Sequence, residues 1–207
     1  IDMPLIIKVA SVPQARMQVY FIDNDEYFKR KATIYNEKRQ LFSDNDERSI
    51  FFAKGVIETV KKLGWKPDII HIHGWMPSLV PMYLKLFNHD NPLFADSKIV
   101  YSIYNGGFEG NLGENMKKGL EFDEIPNEHL TWLDKPSFND LNKNAIDFCH
   151  AVVRGHSEID ADVDQYIKDK GIVYFDGSGL IDNPEGILSV YKDILVQQPA
   201  PSAYCFG

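Results

Sequence analysis

His71 and His73 stand one residue apart in the stretch KPDIIHIHGWMPSLVPMYLK, with Gly74 and Trp75 directly after them. In an extended strand residues two apart share a face, so both imidazoles point the same way. Such a pair could ligate a metal, or it could be a pair of buried polar residues whose partners are neighbouring groups. No third ligand follows at metal-site spacing, so no metal is expected. Trp75 could lay its ring on a sugar or a base, or it could be core with its N–H paired. A second stretch with chemical potential is Tyr104-Asn105-Gly106-Gly107. Its glycines resemble a phosphate cradle only loosely, because neither G-x-G-x-x-G nor G-x-x-x-x-G-K-[ST] follows, and chain flexibility accounts for them. Asp23, Asp25 and Glu26 form a carboxylate cluster that reads as part of a solvated loop. No nucleophile elbow, HExxH or Cys–His signature occurs, and no cofactor is expected.

These residues need elements to position them. Residues 5–9 and 18–22 are short apolar runs parted by a turn at Pro13, and both read as strands. Residues 23–46 are polar and without a sustained period, which predicts a long surface loop. Ser43 or Asp44 can cap a helix in which Ile50, Phe51, Ala53, Val56, Ile57, Val60 and Leu63 recur near 3.6 and Gly64 ends it. A strand at 69–72, a helix at 77–87 and a strand at 98–103 follow, and then a loop at 104–114 rich in glycine and asparagine. Beyond it come a helix capped by Ser137 and ending at Phe148, a strand at 151–154, a helix at 160–170 closed by Gly171, and a strand at 173–175. A last helix, 184–197, starts with proline in its first turn. Strands alternating with helices predict an α/β fold: a Rossmann-like three-layer domain with a mostly parallel sheet covered on both faces. Ligands bind outside the carboxyl ends of such strands, which places any chemistry at Gly74-Trp75 and at 104–111. One domain is expected over residues 1–198, with 199–207 as a tail and with residues missing upstream of Ile1.

Composition removes several function classes. With 207 residues and 44% hydrophobic the chain can bury one sizeable core, and no apolar run approaches the ~20 residues of a bilayer crossing. A soluble, globular protein with no membrane partner is expected. The net charge of −8 opposes nucleic-acid binding, whose affinity comes largely from Lys and Arg releasing counterions. Cys149 and Cys205 are far apart, which suggests neither a disulfide framework nor a zinc site and favours the cytoplasm.

Four stretches carry a family resemblance: QVYFIDNDEYFKRKATIYN, DNDERSIFFAKGVIETVKKLGWKPDIIHIHGWMPSLVPMYLK, KIVYSIYNGGFEGNL and AIDFCHAVVRGHSEID. In this order, over most of residues 18–160, they resemble the amino-terminal domain of ADP-glucose-type glycogen and starch synthases. The resemblance implies the N-terminal half of a GT-B glycosyltransferase in glycogen biosynthesis, which binds the glucan acceptor and closes on a second domain holding ADP-glucose. The family reaction transfers glucose from ADP-glucose to the non-reducing end of an α-1,4-glucan with retention at the anomeric carbon.

Two positions depart from the family pattern. The family reads His-x-His-Asp-Trp where this chain has His71-Ile72-His73-Gly74-Trp75, and His-Asn-Leu where it has Tyr104-Asn105-Gly106. Gly74 has no side chain to hydrogen-bond or stabilise charge, and a tyrosine, with an ordinary pKa near 10, replaces an imidazole poorly near neutrality. The family's Lys-x-Gly-Gly loop is also not present. No catalytic residue is therefore assigned. The substrate-binding residues the resemblance leaves are Trp75, Asn105, His71 and His73. Two expectations stand: a synthase-like transferase that is weak or inactive as a single domain, or a non-catalytic α-glucan-binding or regulatory protein derived from the acceptor domain. The partners expected are an α-glucan or maltooligosaccharide, ADP-glucose only together with a second domain, and a second copy or another chain.

Overall fold

The computed structural model describes residues 3–180 and 185–196. The chain begins with an antiparallel hairpin, β1 (Ile6–Val12) and β2 (Met17–Asp23), which forms a two-stranded sheet of its own. It rests on α2 (Asn45–Leu63) through Leu5 and Ile22, which lie against Gly55; a Cβ there would come within 2.9 Å of Ile22. Between hairpin and helix, the expected loop contains a short helix, α1 (Asp25–Phe28), capped by the buried Asn24, whose Oδ1 accepts from the N–H groups of Glu26 and Tyr27. The carboxylate cluster there is dispersed into ion pairs, Asp23 with Lys8 and Asp25 with Lys29.

The main sheet has four parallel strands in the order β3 (Ile69–His73), β4 (Lys98–Ile103), β5 (Ala151–Arg154) and β6 (Val173–Asp176). Its register sets His71 beside Val100, His73 beside Ser102, and Ser102 beside Val153. Strand alternation then divides the side chains. Ile72, Ile99, Tyr101, Ile103 and Val152 enter one core with residues of α2, α3 (Val80–Phe87), α4 (Asn115–Phe122), α5 (Phe138–Phe148) and α6 (Ala161–Lys170). Val100, Ala151 and Val153 face the other way and meet Val190 and Ile194 of α7 (Gly186–Val196). Strands added in one direction by right-handed crossovers place their connecting helices on the same face; α2 joins them there, so among the described residues five helices cover one side and α7 the other. Fully burying an apolar side chain is worth about 1.5–3 kcal/mol, so the five-helix side holds most of the stability.

Local signals explain the element ends. Ser137 and Asp140 make a reciprocal capping box at the start of α5. Gly64 and Gly171 adopt left-handed angles that close α2 and α6. Two starts differ from expectation. Asp44 stands at the N-cap of α2, but its carboxylate is taken by Arg30 and makes no cap bond. Residues 77–79 form a turn before α3, in which Val80 N–H donates to the Pro77 carbonyl. The expected last helix begins and ends outside the described residues, where the expected tail also lies. Among the described residues no helix is long and apolar enough to cross a membrane.

Candidate functional site

At the carboxyl ends of the four strands, on the face that α7 alone covers, lies a recess of about 280 Å³ lined by His71, His73, Ser102, Tyr104, Gly155 and Tyr191 among others. Its position follows from the layering: one helix cannot cover the whole face, and the strand ends stay open. His71 Nδ1 lies 2.5 Å from the Tyr191 hydroxyl and its Nε2 lies 2.7 Å from Ser102 Oγ. His73 Nδ1 lies 2.7 Å from the Tyr104 hydroxyl. The two imidazoles lie over one another with centroids 4.0 Å apart. Tyr104 in turn needs Gly155, where a Cβ would sit 2.4 Å from its ring.

The electrostatics are those of neutral groups. Burial, and next the neighbouring His73, push the His71 pKa down to about 3. Burial also lowers that of His73, and the Tyr191 phenol is raised by burial with Tyr104 contributing. At neutral pH both rings are therefore uncharged, each with one N–H and one lone pair. A hydroxyl can donate or accept, so His71 is satisfied in either tautomer. His73 Nε2 has no partner among the described residues, which leaves one imidazole nitrogen for a ligand. At the rim, Arg154 is held by Asp176, whose carboxyl the guanidinium, and next Ser178, keep well below the usual range.

Each residue singled out in the sequence can now be placed. His71 and His73 share a face and line the recess, with hydroxyl partners. Among the described residues no group of three His, Cys, Asp or Glu side chains gathers to hold a metal ion. Gly74 has φ +74°, and nothing lies within 4 Å of where its Cβ would be. Trp75, 9% exposed, is core, its ring meeting Phe108 edge-on, and it does not line the recess. The turn at Gly74 sends it to the five-helix side, so its plane is engaged by protein. Asn105 is exposed, lies outside the recess, and bonds the N–H of Gly106. Gly107 is required by packing, since a Cβ there would fall 2.2 Å from the Phe138 ring. Ser102, Tyr191 and Gly155 escaped the sequence reading. Period-2 alternation puts Ser102 on the histidine face, but nothing local tells that Tyr191 of the last helix reaches it.

The recess can take a ligand the size of one sugar unit, near the low end of ligand cavities at about 300–1,000 Å³. Its hydroxyls and imidazoles suit a hydroxyl-bearing ligand. A parallel sheet with a recess at its strand ends and helices on both faces defines a Rossmann-like α/β domain. A sequence model of the starch synthase catalytic domain matches residues 2–158, and the chain belongs to that family. It is 41% identical over 130 residues to the glycogen synthase of Chlorobium luteolum, covering 58% of this chain and 25% of that protein. Against the glycogen synthase of Elusimicrobium minutum it is 39% identical over 92 residues, covering 44% and 19% respectively. The chain thus spans about a quarter of the length of the curated relatives it matches. Among solved structures, the catalytic domain of starch synthase IV from Arabidopsis thaliana, bound to ADP and acarbose, matches with a TM-score of 0.58 and 19% identity, over 83% of this chain and 36% of that one. At that identity the likeness concerns the fold.

Proposed function

We propose that this chain is the acceptor-side half of an α-glucan synthase, weak or inactive in glucose transfer as a single domain. The observation that carries the reading is the pair of strand ends at β3 and β4. Where the family has an aspartate, Gly74 leaves open space; where it has a histidine, Tyr104 is spent on holding His73. Among the described residues no carboxylate lines the recess, and its imidazoles are held neutral, so these residues have little with which to stabilise charge developing at an anomeric carbon. Losing one well-placed group of that kind costs on the order of 10²–10³ in rate. Acting on ADP-glucose would require the second domain that supplies the rest of the diphosphate site. The test is incorporation of glucose from ADP-glucose into glycogen by the purified chain. The expected rate is at least ~10²-fold below that of an intact synthase, in line with the lost groups, and an enzyme-like rate overturns the reading.

A non-catalytic α-glucan-binding role is favoured by one further observation: His73 Nε2 and the exposed Asn105 remain polar groups at the same strand ends. Trp75 then supports the loop from the core. On this reading His73→Ala and Asn105→Ala each weaken maltooligosaccharide binding about five- to tenfold, the worth of one hydrogen bond of about 1–1.5 kcal/mol. Unchanged calorimetric affinity in both variants removes it.

A further inference from the structure

At the opposite end of the sheet, three groups impose a proton count. The backbone N–H of Ile99 donates to His150 Nδ1 at 2.8 Å, and His150 Nε2 lies 2.9 Å from Lys85 Nζ. A backbone N–H is a donor only, so Nδ1 must present a lone pair, and the single proton of the neutral ring sits on Nε2. Nε2–H then points at Nζ. An ammonium has no lone pair to receive it, so the contact forms only with a free amine. An imidazolium is excluded for the same reason, because it would set two N–H groups against each other at Nδ1.

The surroundings agree. Burial pushes the His150 pKa down to about 4, with the positive charge of Lys98 contributing. Burial against the amino-terminal end of the sheet, and next Lys98, lower that of Lys85. Of the other titratable groups near it, the Cys149 thiol is pushed up to about 12 by burial and so stays a thiol at neutral pH, and His89 lines the same recess. Lys85 as a residue is exposed, which leaves reagents an approach along its side chain. Beside it is a recess of about 50 Å³ lined by Leu84, Lys85, Phe94 and Ile99 among others. That space holds only a few water molecules, which suits an acetyl group and no long acyl chain.

We propose that Lys85 is a modification site, an uncharged amine held by His150, which small acyl phosphates acylate ahead of the other lysines. The amine lone pair attacks the carbonyl carbon, the carbon–oxygen bond to phosphate breaks, phosphate leaves with the bonding pair, and one amine proton passes to water. The new amide oxygen can accept Nε2–H, so the imidazole stays paired.

Two measurements on the unmodified chain test this. With acetyl phosphate at pH 7.5, site-resolved mass spectrometry is expected to show Lys85 acetylated faster than the exposed Lys31, Lys38 and Lys62. Equal or slower acetylation of Lys85 overturns the proposal. Nitrogen-15 NMR of labelled histidine is expected to show His150 protonated at Nε2 and bare at Nδ1, and the opposite tautomer overturns it independently of reactivity. Neither readout depends on glucan binding or transfer.

Discussion

The two ends of the parallel sheet use histidine in opposite ways. At the carboxyl end, His71 is bonded by two hydroxyls, from Tyr191 and Ser102, and each can turn to donate or accept. At the amino end, His150 meets a backbone N–H that cannot turn, and its tautomer is dictated. The difference teaches that partner type, more than burial, decides whether a neutral imidazole is adaptable or fixed. Hydroxyl partners leave room for a ligand to choose the direction of a hydrogen bond. A backbone partner passes its constraint on to the next group, here Lys85.

Acid should have the largest effect, because it acts on both ends together. The folded pKa values of His71 and His150 lie at about 3 and about 4, below the ordinary value near 6.5, and that of His73 is also lowered. The unfolded chain binds these protons first, so their contribution is complete above pH ~6.5 and is lost as pH falls toward the folded values. Urea midpoints should decline from pH 7 to pH 4; a flat profile would mean that the imidazoles are solvated at both ends. Next in size is His150→Phe, which strands the Ile99 N–H and should cost about 1–3 kcal/mol in urea unfolding. His71→Phe should cost less, about 0.5–1.5 kcal/mol, because its two hydroxyls can rotate to other partners. Equal losses would erase the contrast. Smallest should be Tyr104→Phe, at about 0.5 kcal/mol for one exposed hydrogen bond. Its sharper readout is a change in the nitrogen-15 shifts of His73 while those of His150 stay put.

Much of the scaffold was legible before any coordinates. The limits of β4, β5 and α5 follow from apolar runs, Ser137 and the switch from period 2 to period 3.6. The sequence reading assigns no element between residues 114 and 137, although Met116 and Leu120 mark the buried face of α4. The shared face of His71 and His73 was legible too, since alternation along a strand is a local rule. The aromatic plane of Trp75 was not, because a single left-handed glycine decides which side of the sheet the next residue takes.

The sequence by itself determined the alternation of strands and helices, the family pattern and its two departures at Gly74 and Tyr104, and that the paired histidines share one face. Only the tertiary structure decided what those histidines meet. Ser102 is 31 residues from His71 and Tyr191 is 120 residues away, while Ile99 is 51 residues from His150. Periodicity and capping are set by neighbours within a turn or two. Contacts across such separations are set by strand register and by which face a crossover takes, and these are settled only when the whole sheet is assembled.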